Sequence, residues 1–357
     1  MKAVLIGVGQ AGGKVAQALA EYDYEMDFGA VQGALAVNTA RPDLQTLDIE
    51  TMLIGQDRVK GHGVGGDNEL GAEIMQEEAV EVMDALDGRI TASSEAIFVI
   101  AGLGGGTGSG GAPALVRELQ RVYSIPVYGL GILPGRDEGA IYQANAGRSL
   151  KTLLREADSV LLIDNDAWHS AGESVAEGFD AINRNIAQRV GLLLAAGEVI
   201  EGVGESVVDS SEIINTLRSG GLASLGYASA DASPDSGENI NVITSATRSA
   251  LLTGTSLPDA VEADAALLVV AGDPDRIARK GVERARRWLE EETGSLEVRG
   301  GDFPLESERI AALVLLGGVE RGSRVQQFLQ RARDAAETVE KRDTTEQFRN
   351  DDLDDLF

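Results

Sequence analysis

The 357-residue chain has no cysteine, so disulfides, thiolate nucleophiles and zinc sites of the Cys type are all excluded. Only His62 and His169 supply imidazole, and two histidines so far apart do not make a histidine-rich metal centre. No apolar run reaches the ~18 residues that crossing a bilayer requires. Met1 to Gly7 enters a glycine-rich turn without the small-residue cleavage site of a signal peptide, which leads us to expect a cytoplasmic protein. Lysine is scarce, standing only at positions 2, 14, 60, 151, 280 and 341, and the formal net charge is −27. Nucleic acid and acidic membranes are bound through cationic side chains, so neither is an expected partner. So acidic a surface suits molar salt, where a Debye length of ~3 Å screens carboxylate repulsion.

What is present is glycine, 44 residues of it, and a 43% hydrophobic content normal for a globular chain. Lys2 to Val8 reads as a buried strand, Gly9 to Gly13 as a tight turn and Lys14 to Glu21 as a helix. Short apolar runs at Gly33 to Val37, Ala96 to Ile100, Val127 to Leu133 and Val160 to Ile163 alternate with helical stretches, which predicts a mainly parallel α/β sheet. Phe179 to Gly197 reads as one long amphipathic helix. Beyond it, strands are expected at Asn239 to Ser245, Ala265 to Ala271 and Arg309 to Leu316, a charged helix at Val325 to Lys341, and a polar acidic tail at the end. The expected organisation is a nucleotide-binding domain over 1–178, a central helix over 179–203, a second α+β domain over 204–341 and a flexible tail over 342–357.

Gly7 to Gly12 matches G-x-G-x-x-G after a strand, the pattern that brings a pyrophosphate to a helix N-terminus. Taken alone it would suggest an NAD-dependent oxidoreductase. The second strand, however, ends in Val37-Asn38-Thr39 rather than in the acidic residue that holds a ribose, and Lys14-Val15 does not fit a Walker P-loop. The second glycine loop, Ala101 to Gly111, also follows a strand and precedes a helix, which we expect Pro113 to open. It offers backbone N–H groups and the hydroxyls of Thr107 and Ser109 to phosphate oxygens.

That loop reads GGGTGSG over Gly104, Gly105, Gly106, Thr107, Gly108, Ser109 and Gly110, and it resembles the signature of tubulins and FtsZ proteins. The resemblance continues in order along nearly the whole chain. Gly9, Gln10, Ala11 and Gly12 look like the tubulin first loop, Asn38 falls in the second, and Gly61 to Asn68 lies where the γ-phosphate-sensing loop is found. Glu138, in Pro134 to Gly139, resembles the ribose-contacting carboxylate, while Tyr142 stands where bacterial FtsZ proteins carry arginine. Asn165 and Asn183 resemble the two asparagines that read guanine, a task suited to an amide that both donates and accepts.

Asp209 and Glu212 read locally as an N-cap and its N3 partner. They also stand where the family's synergy loop sends acidic side chains into the next subunit's nucleotide site. The resemblance therefore implies a Rossmann-like GTPase domain, GTP/GDP with Mg²⁺ as cofactors, and head-to-tail assembly with itself. Glu212 would polarise the attacking water and Asp209 would help to position it. The acidic composition, the GQAGGK opening and Glu212 resemble the CetZ group of halophilic archaea, which implies a filament that controls cell shape. An FtsZ-like division protein and a nucleotide-binding regulator that does not hydrolyse are the alternatives. A paralogue or membrane adaptor is a further expected partner, met by Leu353, Leu356 and Phe357 of the tail.

Overall fold

The computed structural model describes residues 1–167, 175–198 and 208–343, so His169 and the tail residues Leu353, Leu356 and Phe357 lie outside the described residues. In chain order the elements are β1 (Ala3–Val8), α1 (Gly9–Glu25), β2 (Val31–Asn38), α2 (Arg41–Leu44), β3 (Glu50–Leu53), α3 (Gln56–Val59), α4 (Asn68–Glu77), α5 (Ala79–Ala85), β4 (Ala96–Gly102), α6 (Thr107–Val122), β5 (Val127–Leu133), α7 (Ala140–Glu156) and β6 (Ser159–Asp164). A 3-10 turn at Asn165–Ala167 follows, then α8 (Val175–Ala196), α9 (Ser210–Leu217), β7 (Leu222–Asp231), α10 (Asn239–Leu252), β8 (Ala263–Gly272), α11 (Arg279–Thr293), β9 (Glu297–Pro304), β10 (Arg309–Val319) and α12 (Ser323–Asp343).

Among the described residues all strands belong to one sheet, ordered β3-β2-β1-β4-β5-β6-β7-β10-β8-β9. The neighbours from β3 to β7 run parallel, whereas β10 runs antiparallel to both β7 and β8. The seam between the two halves is narrow. β6 and β7 share only the pairs Val160↔Leu222 and Leu161↔Ala223.

Strand alternation divides the core between the two faces of the sheet. Val4, Ile6 and Val8 pack on one side with Leu115 and Leu119 of α6 and Phe328 of α12. Ala3 and Leu5 pack on the other with Leu19 of α1 and Ile186, Val190 and Leu193 of α8. Because α8 buries residues on most of its circumference, it is a core helix, not a linker.

Three expectations need correction. Asn239 to Ser245 is not a strand but the start of α10. The β-branched alternation there is local, while Ile243, Ala246, Thr247, Ala250 and Leu251 recur at helical spacing and are all buried. Gly9 to Gly13 is already helical, forming the first turns of α1. Pro113 does not open its helix either: α6 begins at Thr107 and carries Pro113 inside. The strands β3, β7 and β9 were not foreseen, since alanine, serine, glycine and charge dilute their β-branched content.

Candidate functional site

A cleft of about 570 Å³ lies along the C-terminal ends of β1, β2, β4, β5 and β6, the edge where open parallel sheets bind ligands. Several helices start there without a side-chain cap, α1 and α6 among them. The residues before α1 and α6, Val8 and Gly106, make no capping hydrogen bond, and neither helix carries an acidic residue in its first turn. Each N-terminus leaves backbone N–H groups without helical partners and adds the positive end of the helix dipole. By contrast, α4 and α9 are capped by Asp67 and Asp209. The uncapped pair is therefore a ready anion cradle.

Glycine makes the cradle possible by letting its two walls touch. Gly9 has φ +74°, and a Cβ on it would lie 2.9 Å from the Gly108 nitrogen. Gly105 differs, because a Cβ there would meet nothing within 4 Å; its free face looks into the cleft.

Most of the expected residues converge. Gly9, Gln10, Ala11, Asn38, Gly104, Gly105, Gly106, Thr107, Gly108, Glu138, Asn165 and Asn183 all line the cleft, with Tyr142 at its rim. Gly12, Ser109 and Gly110 do not. Gly12 is pressed against β4, where a Cβ would fall 2.2 Å from the Ile100 oxygen, and at Gly110 one would fall 1.9 Å from the Asn68 oxygen. These two glycines serve close packing. The Ser109 hydroxyl donates back to the Gly105 and Gly106 carbonyls and so is turned away from the phosphate role expected for it.

The remaining polar groups are partly committed. The Thr107 and Thr39 hydroxyls are 2.7 Å apart and hold the second loop against the glycine loop. Asn38 accepts from the Thr39 and Ala40 nitrogens and donates to Asp43 at 3.0 Å, which shapes the turn after β2. Glu138 accepts from the Gly135 nitrogen at 2.7 Å. Asn165, also buried at 6% exposed, differs from all of these in that its Oδ1 has no hydrogen-bond partner among the described residues. A buried acceptor left unmatched is costly, and a ligand N–H in the cleft would remove that cost.

Sequence reasoning missed Asn145. Its Nδ2 donates to Gly66 at 2.8 Å and to Gly104 at 3.1 Å, tying the 61–68 loop to the glycine loop. The available signal was an amide on the apolar face of α7, one helical turn before Ser149 and two before Leu153. Lys14 and His62 also line the cleft and went unassigned.

Asp209 and Glu212 stand elsewhere. The Ser210 hydroxyl donates to Glu95 at 2.6 Å, and Glu95 immediately precedes β4, whose other end, Gly102, borders the cleft. A seven-residue strand at ~3.3 Å per residue puts roughly 20 Å between them. Asp209 caps α9 by accepting from the Glu212 nitrogen at 3.2 Å and from Ser211 Oγ, and the Ser211 bond is the main reason its carboxyl is held below the usual range. Burial pushes the Glu212 carboxyl up, while Arg299 and Arg286 pull it partly back.

Known proteins resemble this chain in sequence and fold. Residues 2–173 match the model described as the Tubulin/FtsZ family GTPase domain, and residues 172–334 match the tubulin-like CetZ C-terminal domain. Tubulin-like protein CetZ2 of Haloferax volcanii is 69% identical over all of both chains. A solved structure of CetZ2 from the same organism, a GTPγS-bound protofilament, superposes with a TM-score of 0.92 over 95% of this chain and 100% of that one. The GDP-bound monomer of H. volcanii CetZ1, 50% identical, gives 0.87 over 94% and 100%.

Proposed function

Since the chain belongs to the CetZ group of the tubulin/FtsZ family of GTPases, we propose that it binds GTP in the cleft and hydrolyses it only when a second copy stacks head to tail. The observation that carries this reading is the separation of the cleft from Glu212 by the height of the sheet. One chain cannot bring its own Glu212 to its own nucleotide. A second chain stacked along the strand direction would place its Glu212 over the first chain's open cleft.

The uncapped N-termini of α1 and α6 would hold the phosphates, Glu138 the ribose hydroxyls, and Asn165 and Asn183 the guanine edge. Mg²⁺ would arrive with the nucleotide and spread charge on the β- and γ-phosphates. No cluster of three or more His, Cys, Asp or Glu suited to a metal occurs among the described residues, and a Mg²⁺ held mainly by phosphate and water fits that. Glu212, its carboxyl already raised by burial, would orient and deprotonate the attacking water. Asp209 would act through the helix start it caps, fixing the Glu212 backbone.

In the cell we place the protein in the cytoplasm as a filament that governs shape. No helix of the described residues is long and apolar enough to cross a membrane, so membrane attachment would come through an adaptor or a paralogue. The deciding experiment is GTP turnover against protein concentration in molar potassium chloride with Mg²⁺. Turnover per molecule should rise through a threshold, and Glu212→Ala should bind GTP yet hydrolyse it on the order of 10²–10⁴ times more slowly. Turnover strictly proportional to concentration at every dilution would refute the shared site.

A further inference from the structure

The C-terminal helix is wired to the nucleotide cleft through charge. Asn165 sits between two acidic neighbours, and Arg324, in the first turn of α12, engages both. Its Nε donates to Asp164 at 2.5 Å and its Nη2 lies 3.5 Å from Asp166. Asp164 is only 4% exposed, and its second oxygen accepts from the Asp166 nitrogen at 3.1 Å. Asp166 in turn takes the Arg136 backbone nitrogen at 3.3 Å and the Arg136 Nε at 3.1 Å. Arg136 is next to Gly135, whose nitrogen is held by the cleft residue Glu138. An unbroken ladder thus runs from α12 through both neighbours of Asn165 to the turn that carries Glu138. Arg331, two turns further along α12, points the same way: its buried Nε has no hydrogen-bond partner among the described residues, and its guanidinium is close enough to Arg136, Asp166, Asp164 and Arg324 to feel their charges.

We infer that Arg324 is a positioning residue for guanine recognition: by clamping Asp164 and Asp166 it fixes the backbone on both sides of Asn165, which makes the seating of α12 and the aim of the Asn165 amide a single event. A buried carboxylate keeps its place only while paired, and a guanidinium can grip two carboxylates at once where an ammonium grips one. The Asn165 Oδ1, without a partner among the described residues, is held in position by this clamp from outside the cleft. The inference rests on the reading of Asn165 as a contact to the base, and its test separates the two.

The test measures GDP and IDP dissociation constants for the full chain in molar potassium chloride, for wild type, Asn165→Ala, Arg324→Lys and the double variant. Hypoxanthine lacks the 2-amino group of guanine, so the IDP/GDP ratio reports base reading rather than overall affinity. Arg324→Lys keeps a cation beside Asp164 and should lower that ratio by on the order of tenfold, comparable to Asn165→Ala, with no further loss in the double variant. A wild-type ratio in Arg324→Lys alongside a reduced one in Asn165→Ala would overturn the positioning role, as would an equal weakening of both nucleotides. A wild-type ratio in Asn165→Ala would remove the underlying reading itself. Arg136→Ala breaks the ladder from its more exposed end and should shift the ratio the same way by a smaller factor; no shift there would also overturn the inference.

Discussion

The two edges of the parallel half-sheet are built from different chemistry. At the C-terminal edge the cleft is made of glycine, backbone N–H groups and the uncapped N-termini of α1 and α6, with Lys14, His62, Asp43, Glu138 and Tyr142 as its ionisable side chains. At the N-terminal edge stand carboxylates, Glu95 with Asp209 and Glu212 of α9. One edge is made to receive negative charge and the other to present it. Under the function proposed above, each edge would be half of a reaction centre, complete in structure and idle until a second copy supplies the other half.

The sharpest way to break this comparison is complementation. Glu212→Ala should keep a sound cleft, and Gly105→Ala a sound acid, so at GTP well below the Gly105→Ala dissociation constant each alone should be nearly inactive. In an equimolar mixture about a quarter of head-to-tail junctions would join the intact halves, and turnover should reappear at that fraction. Persistent inactivity of the mixture, with both variants still assembling, would argue that cleft and acid belong to one copy.

Two glycine variants sharpen the cleft side. Gly105→Ala adds a methyl that meets no protein atom, so stability should hold while GTP affinity falls tenfold or more. Gly110→Ala drives its methyl into the Asn68 carbonyl and should cost about 1–3 kcal/mol of stability, seen as a lower denaturation midpoint. Salt acts on both edges together. Dilution from molar to 0.1 M potassium chloride lengthens the Debye length from ~3 to ~10 Å and should lower the melting temperature of a chain carrying −27.

The smallest effect belongs to Glu212. Because burial raises its carboxyl in the folded chain, the ionised form is disfavoured by folding. The stability linked to its proton is present below the ordinary carboxylate range and lost as pH rises through the elevated value. Glu212→Gln should therefore melt slightly higher than wild type at pH 7, and the gap should close as pH falls toward 4.5. An equal or lower melting temperature at pH 7 would remove the claim that this edge carries a destabilised acid.

The sequence revealed the cleft far better than it revealed the second half of the sheet. Gly104 to Gly108 and Gln10 could be read because a backbone cradle needs residue types that little else explains. Gly12, Gly110 and Ser109 share the same runs but serve packing and local hydrogen bonds; composition cannot tell a glycine that admits a ligand from one that admits a neighbouring carbonyl. Asn145 was hidden because its partners, Gly66 and Gly104, are 79 and 41 residues away. The strand expected at Asn239 to Ser245 failed because the short alternation from Asn239 to Val242 also fits the start of a longer helix, and packing against the sheet chose the helix.

The two-pair seam between β6 and β7 has a mechanical consequence. Each half of the sheet is braced by longer ladders, so a bend between the halves would centre on this joint, one side of which is the strand that ends in Asp164, just before Asn165. A swing of about 5° there carries a group ~20 Å away through roughly 2 Å, enough to make or lose a hydrogen bond. If chains stack head to tail as proposed, the joint would serve as a fulcrum, turning a small change under a bound base into a stroke at the far rim that the next chain would feel.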